Sequence, residues 1–286
     1  MKKSMFPGGD EHMVLNPYQV GGLRVLIAGL VLTPIAWRFK KYMTKKTVWL
    51  LLVTGFFGNL MPAIMFTLAE TGISSSLAGL INMSTSFFVV LIGVLFYKSK
   101  PSLLQMIGLG VGSAGLFFVL NSQSDISLNK DIRYAFFLFP ATIGYAISLT
   151  TIKFKLHHLP SSAITALSFM TILPAAILIS IATNAFGPIF NDPLGFEALG
   201  YLSILSIIGT ALAVLLFTKL IAISNHVFAS AVAYVLPVVA ILIGTLDGEE
   251  FPARNYLWVA VILLGVYLMN RGSSKKVDET VEKKDV

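Results

Sequence analysis

The chain has 286 residues, 56% hydrophobic and 12% charged, with a formal net charge of +7 and no cysteine, and its mean hydropathy is +0.81. Soluble globular domains carry about twice that charged fraction, and the missing thiols exclude disulfides, thiolate catalysis and Cys-ligated metals. The positive charge does not mark a nucleic-acid binder, because Lys and Arg sit in short clusters between apolar segments, the arrangement that sets membrane topology.

In chain order, a short charged head (Lys2, Lys3, Asp10, Glu11) precedes nine continuous apolar stretches. These are Tyr18–Trp37, Val48–Ala69, Ser74–Tyr97, Leu103–Leu120, Ile132–Ile152, Ala163–Thr183, Ala198–Ile221, Val227–Leu246 and Asn255–Asn270. Each is roughly 16 to 24 residues, and about 20 helical residues cross a hydrocarbon core. The apolar character is continuous, not alternating, which favours helices over a β-barrel. Turn residues fill the linkers: Pro101, Pro160, Gly187-Pro188 to Pro193-Leu194, and Asp247-Gly248. The polar tail 271–286 reads as disordered.

If the first stretch ends in the cytoplasm, the inner loops carry Arg38, Lys40, Lys41, Lys45, Lys46, Lys98, Lys100, Lys153, Lys155, Lys219, Arg271, Lys275, Lys276, Lys283 and Lys284. The outer loops keep only Lys130, Arg133 and Arg254. This bias predicts a cytoplasmic C-terminus. Nine spans would then leave the charged head outside, with no signal peptide before it, so the pattern anticipates a further leading helix.

The sequence repeats itself. Phe66–Gly93 aligns without a gap on Phe217–Gly244, a plan common among secondary transporters. A complete five-helix unit starts at Ile132, whereas the first half shows four helices and lacks its first. The run Pro17-Tyr18-Gln19-Val20-Gly21-Gly22-Leu23-Arg24-Val25-Leu26-Ile27-Ala28-Gly29 resembles the start of the second helix in EamA-type members of the drug/metabolite transporter superfamily. The ends of the halves resemble them too: Pro101 followed by Gln105, Gly108 and Gly115-Leu116, and Pro252 followed by Leu264-Gly265-Val266-Tyr267-Leu268. The resemblance implies an all-α integral membrane protein of ten helices, built as two inverted five-helix repeats with both termini cytoplasmic. On that plan Met1 falls near the end of helix one, so the first helix is missing or truncated. Residues 1–121 form the first repeat, 132–270 the second, and 271–286 a cytoplasmic tail. Two positions depart from the family pattern: Ser86 stands where Pro237 fits in the second half, and Ser99 where Glu250 fits.

Polar residues inside apolar stretches are the candidate solute-binding positions, because an unpaired polar group in hydrocarbon costs several kcal/mol. The clearest is the patch Asn82-Met83-Ser84-Thr85-Ser86, with Asn82, Ser84, Thr85 and Ser86 either lining a solute path or packing between helices. Tyr234 and Pro237 lie at the equivalent level of the second half, and Pro237 can kink its helix and free a carbonyl. Tyr145 can stack on or hydrogen-bond a ligand, or simply pack. Arg24 either snorkels to the interface or presents a cation to a cavity. Glu70, at the outer end of its helix, reads as interfacial, with proton coupling the alternative. Gly108-Leu109-Gly110-Val111-Gly112-Ser113-Ala114-Gly115 superficially resembles a dinucleotide loop, but it lies inside a continuous apolar run with no βα turn around it; Gly108 and Gly112 have the spacing of close helix packing. His12, His157, His158 and His226 lack metal-site spacing, and no HExxH, GxSxG or Walker A motif occurs. No cofactor and no nucleic-acid partner are expected.

The expected function is a multi-pass inner-membrane secondary transporter working by alternating access between its two repeats. The resemblance implies amino acids, metabolites or drug-like compounds as solutes and export as the direction. The alternatives are a flippase for a lipid-linked substrate, an intramembrane enzyme or a non-transporting scaffold. An enzyme would need a fixed catalytic pair, and the sequence shows none.

Overall fold

The computed structural model describes residues 2–9, 12–98, 100–123, 132–223, 239 and 253–282. A short helix α1 (Lys2–Met5) precedes α2 (Pro17–Arg38). The start of α2 is fixed by a reciprocal cap. Asn16 Oδ1 accepts the Gln19 backbone N–H at 2.9 Å, and Gln19 Oε1 accepts the Asn16 N–H at 2.8 Å. These bonds satisfy donors that a helix start leaves open, while Pro17 supplies a φ already suited to the first turn.

Next come α3 (Lys45–Gly55), a π-helical turn Phe56–Leu60 and α4 (Met61–Glu70), followed by α5 (Ser75–Asn82), α6 (Thr85–Tyr97) and α7 (Leu103–Gln123). A 3-10 turn Ile132–Phe137 opens α8 (Leu138–Thr151), which ends in a π turn Ile152–Leu156. The chain continues through α9 (Ser161–Ala182), α10 (Phe186–Asn191), α11 (Gly195–Ser206), a π turn Ile207–Leu212, α12 (Ala213–Ile223) and α13 (Ala253–Glu282). Among the described residues all regular structure is helical.

Among the described residues, six helical rods are long and apolar enough to cross a membrane: Pro17–Arg38, Lys45–Glu70, Leu77–Tyr97, Arg133–Leu156, Ser161–Ala182 and Gly195–Lys219. The apolar parts of α7 and α13, Leu103–Phe118 and Asn255–Met269, are shorter. Each of these eight coincides within a few residues with an expected span. The remaining one, Val227–Leu246, lies outside the described residues apart from Val239. The tail differs from expectation. The backbone stays helical to Glu282, because extending a formed helix needs no new nucleus and Lys275, Lys276, Glu279 and Glu282 are good helix formers.

The chain divides into two compact units. The first joins the residues up to Thr71 with Ile143–Ala222, and the second joins Gly72–Thr142 with the chain from Ile223 onward. Each unit therefore draws on both sequence halves. In the first, α2 and α9 pack along their lengths in opposite directions. Gln19 Nε2 donates to Thr183 O at 2.9 Å. A methyl group on Gly22 would lie 2.9 Å from Ile179, and one on Gly29 would lie 2.7 Å from Leu173. Only the missing side chains let the two backbones approach this closely. Leu23, Leu32, Phe169 and Ile172 fill the seam, and Met5 and Leu15 are fully buried in the same core.

The second unit repeats the arrangement with α7 and α13. A methyl on Gly108 would lie 2.5 Å from Gly265 O, and one on Gly115 2.8 Å from Ile262; Gly272 meets Ser102 and Gln105. These pairings also run antiparallel. The GxxxG spacing of Gly108 and Gly112 is thus a helix-packing device, with Gly265 opposite.

Candidate solute site

Three features concentrate polar chemistry inside the rods. The first is an ionisable cluster in the first unit. Arg24 lies seven residues into α2 and is half-buried. Its Nε donates to Thr210 Oγ1 at 2.7 Å. Thr210 is 5% exposed and stands in the π turn Ile207–Leu212, where its own hydroxyl reaches Leu205 O, five residues back, at 3.1 Å. Tyr145 and Glu70 lie within electrostatic range of the Arg24 guanidinium. Glu70, the last residue of α4, is only 9% exposed. Tyr145 is half-buried, its ring tilted against Phe66 at 6.0 Å. An arginine at the centre of a membrane helix costs about 2.5–3.5 kcal/mol on insertion scales, so cations there are held by partners and mark function. The Arg24 Nε turns to Thr210, on another rod.

The second feature is the π turns. The spacing that relates Phe66 to Phe217 also relates Phe56 to Ile207, where the π turns of the two rods Lys45–Glu70 and Gly195–Lys219 begin. Gly58-Asn59 thereby corresponds to Gly209-Thr210. Single π turns inside α-helices recur at functional sites, and here two occupy the same register.

The third is the patch Asn82–Ser86, in the second unit. It does not sit within one unbroken helix. α5 stops at Asn82 and α6 starts at Thr85. The Ser86 N–H bonds Met83 O at 3.1 Å and the Phe87 N–H bonds Ser84 O at 3.0 Å, so the ladder tightens for one turn into three-residue steps. Asn, Ser and Thr side chains compete with backbone groups and weaken an α-helix, and four of them fall together here. Asn82 is half-buried, with Oδ1 a long 3.5 Å from Thr85 Oγ1. Ser84 is 2% exposed, and its hydroxyl has no partner among the described residues.

Of the anticipated positions, Arg24 and Tyr145 come together in the first unit, Asn82, Ser84, Thr85 and Ser86 belong to the second, and Tyr234 and Pro237 lie outside the described residues. Thr210 escapes a reading of the sequence because threonine is unremarkable in an apolar run. Its only signal there is correspondence with Asn59. Glu70 stands at the end of α4, as its sequence position suggests, and is 9% exposed there. Among the described residues no group of His, Asp and Glu has the makings of a metal site.

Known proteins give this geometry its context. The model of the EamA-like transporter family matches the chain twice, over residues 12–121 and 132–271. The chain is 28% identical over 270 residues to the uncharacterized inner membrane transporter YedA of Escherichia coli K12, covering 90% of this chain and 82% of that protein. It is 24% identical over 265 residues to protein PagO of Salmonella typhimurium, covering 89% and 84%. A crystal structure at 15% identity superposes with a TM-score of 0.59 over 92% of this chain and 90% of the other, a likeness of fold. The chain is a multi-pass membrane transporter belonging to the EamA-like transporter family of the drug/metabolite transporter superfamily.

Proposed function

We propose that the protein is an inner-membrane secondary transporter that exports small organic solutes, among them amino acids, metabolites or drug-like compounds, by alternating access. The observation that carries this reading is the opposed direction of corresponding helices. α7 and α13 close the two family-matched segments and run antiparallel, and α2 and α9, which correspond on the reading that the first segment lacks its first helix, run antiparallel too. Opposed repeats are what an inverted duplication produces, and such duplications place the solute path where the repeats meet. The ten-helix plan and the repeats 1–121 and 132–270 belong to this proposal. The name of YedA supports the inner membrane as the location.

Asn82, Ser84, Thr85, Ser86, Tyr145, Tyr234, Pro237 and Arg24 are the solute-contacting residues in this reading. The break at Asn82–Ser86 supports it, since Ser84 keeps a buried hydroxyl without a partner among the described residues. Gradient coupling drives the cycle. The test is flux in proteoliposomes holding the purified full chain. Uptake of labelled amino acids and cationic dyes is followed with and without an imposed proton gradient. Gradient-dependent flux above protein-free vesicles supports the proposal, and equal flux in both conditions removes the coupling.

A further inference from the structure

Resting on that transport reading, we propose that Arg24, steered by Thr210 and shared with Glu70, is where the oxyanion of the transported solute binds, whether carboxylate, phosphate or sulfonate. The duplication supplies an internal control. α2 and α9 are each 22 residues long, and Ser168 stands seven residues after Ser161 as Arg24 stands seven after Pro17. The register that relates Phe66 to Phe217 puts Ile221 opposite Glu70. The cation and the carboxylate therefore both belong to the first matched segment; the second has Ile221 in the carboxylate's place, and in the cation's place Ser168, counted from the helix start, or Ala175, in the register of Phe66 and Phe217, both uncharged. The second helix of that segment forms and packs without the charge, so the helical plan does not require it. What remains is a pair of opposite charges, present in one segment only, inside rods that cross the membrane.

The chemistry fits an exchangeable counter-ion. A guanidinium has five N–H donors in a rigid plane. Thr210 Oγ1 takes the Nε–H at 2.7 Å, which fixes that plane from the side and matches the fork to a two-oxygen anion. Glu70 balances the cation when no solute is bound. A solute oxyanion takes over that role when loaded, so Arg24 never lacks a counter-charge in a medium where one is needed. Tyr145, within electrostatic range, adds an O–H donor. Thr210 is a positioning residue, since it acts through Arg24.

The chain's lack of cysteine allows a test that needs no known solute. Tyr145→Cys places the only thiol in the cluster, in the full-length protein in permeabilised proteoliposomes. Its labelling rate is compared for an anionic reagent, sulfonatoethyl methanethiosulfonate, and a cationic one, the trimethylammonium-ethyl analogue. The anionic reagent is expected to react faster, by on the order of tenfold, as charge focusing in clefts produces. Adding Arg24→Gln should abolish that preference, adding Glu70→Gln should increase it, and Thr210→Val should weaken it while Thr210→Ser preserves it. If Arg24→Gln fails to fold, Arg24→Ser with Glu70→Ile gives both positions the residues of the second segment, leaves no charge uncompensated, and should also abolish the preference. Absence of labelling by either reagent, or a preference indifferent to Arg24, overturns the proposal. The gradient-driven flux assay on sealed vesicles of the unsubstituted chain separates the two claims. Flux without charge-selective labelling refutes the oxyanion site alone, and selective labelling without flux refutes transport alone.

Discussion

At the scale of single residues, environment decides what a polar group does. Asn82 sits where α5 ends, with one long contact to Thr85, so its amide is poorly satisfied within its own rod. Asn82→Ala is expected to weaken solute binding two- to tenfold, the value of about 0.5–1.5 kcal/mol for one hydrogen bond, and to leave the melting temperature unchanged. Lowered stability with unchanged affinity would make Asn82 a packing residue. Asp192 illustrates the opposite, solvent-facing case. His12 Nε2 lies 2.6 Å from Asp192 Oδ2, and Oδ1 accepts the Leu194 N–H at 2.9 Å. The His12 hydrogen bond first, and the Leu194 bond second, hold the Asp192 carboxyl below the usual range. A depressed carboxyl stabilises the fold above the unfolded value of about 3.9 and loses that contribution as pH falls through the folded value. In melts from pH 7 to pH 2, Asp192→Asn should therefore be less stable than wild type at neutral pH, with the gap closing below about pH 4. A gap constant with pH would show that the charge is irrelevant. Arg24 was legible because a cation in an apolar run stands out. Its partner was not, because Thr210 is 186 residues away and no local rule pairs them.

At the scale of elements, the apolar runs give the rods their positions and the glycines show which faces meet. A methyl on Gly110 meets nothing within 4 Å, whereas Gly265 faces the backbone of Gly112. Gly110→Ala should leave thermal stability in detergent unchanged or raised by about 0.5–1 kcal/mol, the helix-propensity difference. Gly265→Val should lower it by about 1–3 kcal/mol or more, the range for overpacking, since backbone cannot move aside as a side chain can. Equal effects would mean that α7 and α13 do not pack as described. The spacing of Gly108 and Gly112 announced a packed face, yet the partner helix could not be named from it. The π turns were equally hidden, because hydrophobic periodicity is a property of side chains, whereas a π turn is one extra residue in the backbone ladder. The break at Ser84 was half legible: its polar residues were seen, but their cost to the helix was not.

At the scale of the molecule, the duplication was plain from the gapless match of Phe66–Gly93 to Phe217–Gly244, but the regrouping was not. Each compact unit takes segments from both halves, because helix packing follows shape and small residues, not chain order. That packing sharpens the prediction of sidedness. In the first unit α2 and α9 are antiparallel, so Arg38, Lys40 and Lys41, where α2 ends, share an end with Lys153 and Lys155, just before α9 begins. The opposite end carries Lys2 and Lys3 with Asp192 and Glu197. In the second unit Gly272 meets Ser102 and Gln105, so Lys98 and Lys100 share an end with Arg271. Two independent packings thus gather the basic clusters that sequence could only count, and basic loops stay in the cytoplasm. A reporter fused after Val286 that works only in the cytoplasm is expected to be active, and one fused there that needs export is expected to be silent. The variant Asn184→Cys, altered just beyond the far end of α9, should react with an impermeant thiol reagent applied to the outside of intact cells. An active exported reporter at Val286, together with no labelling of the Asn184→Cys variant from outside, would invert the whole assignment.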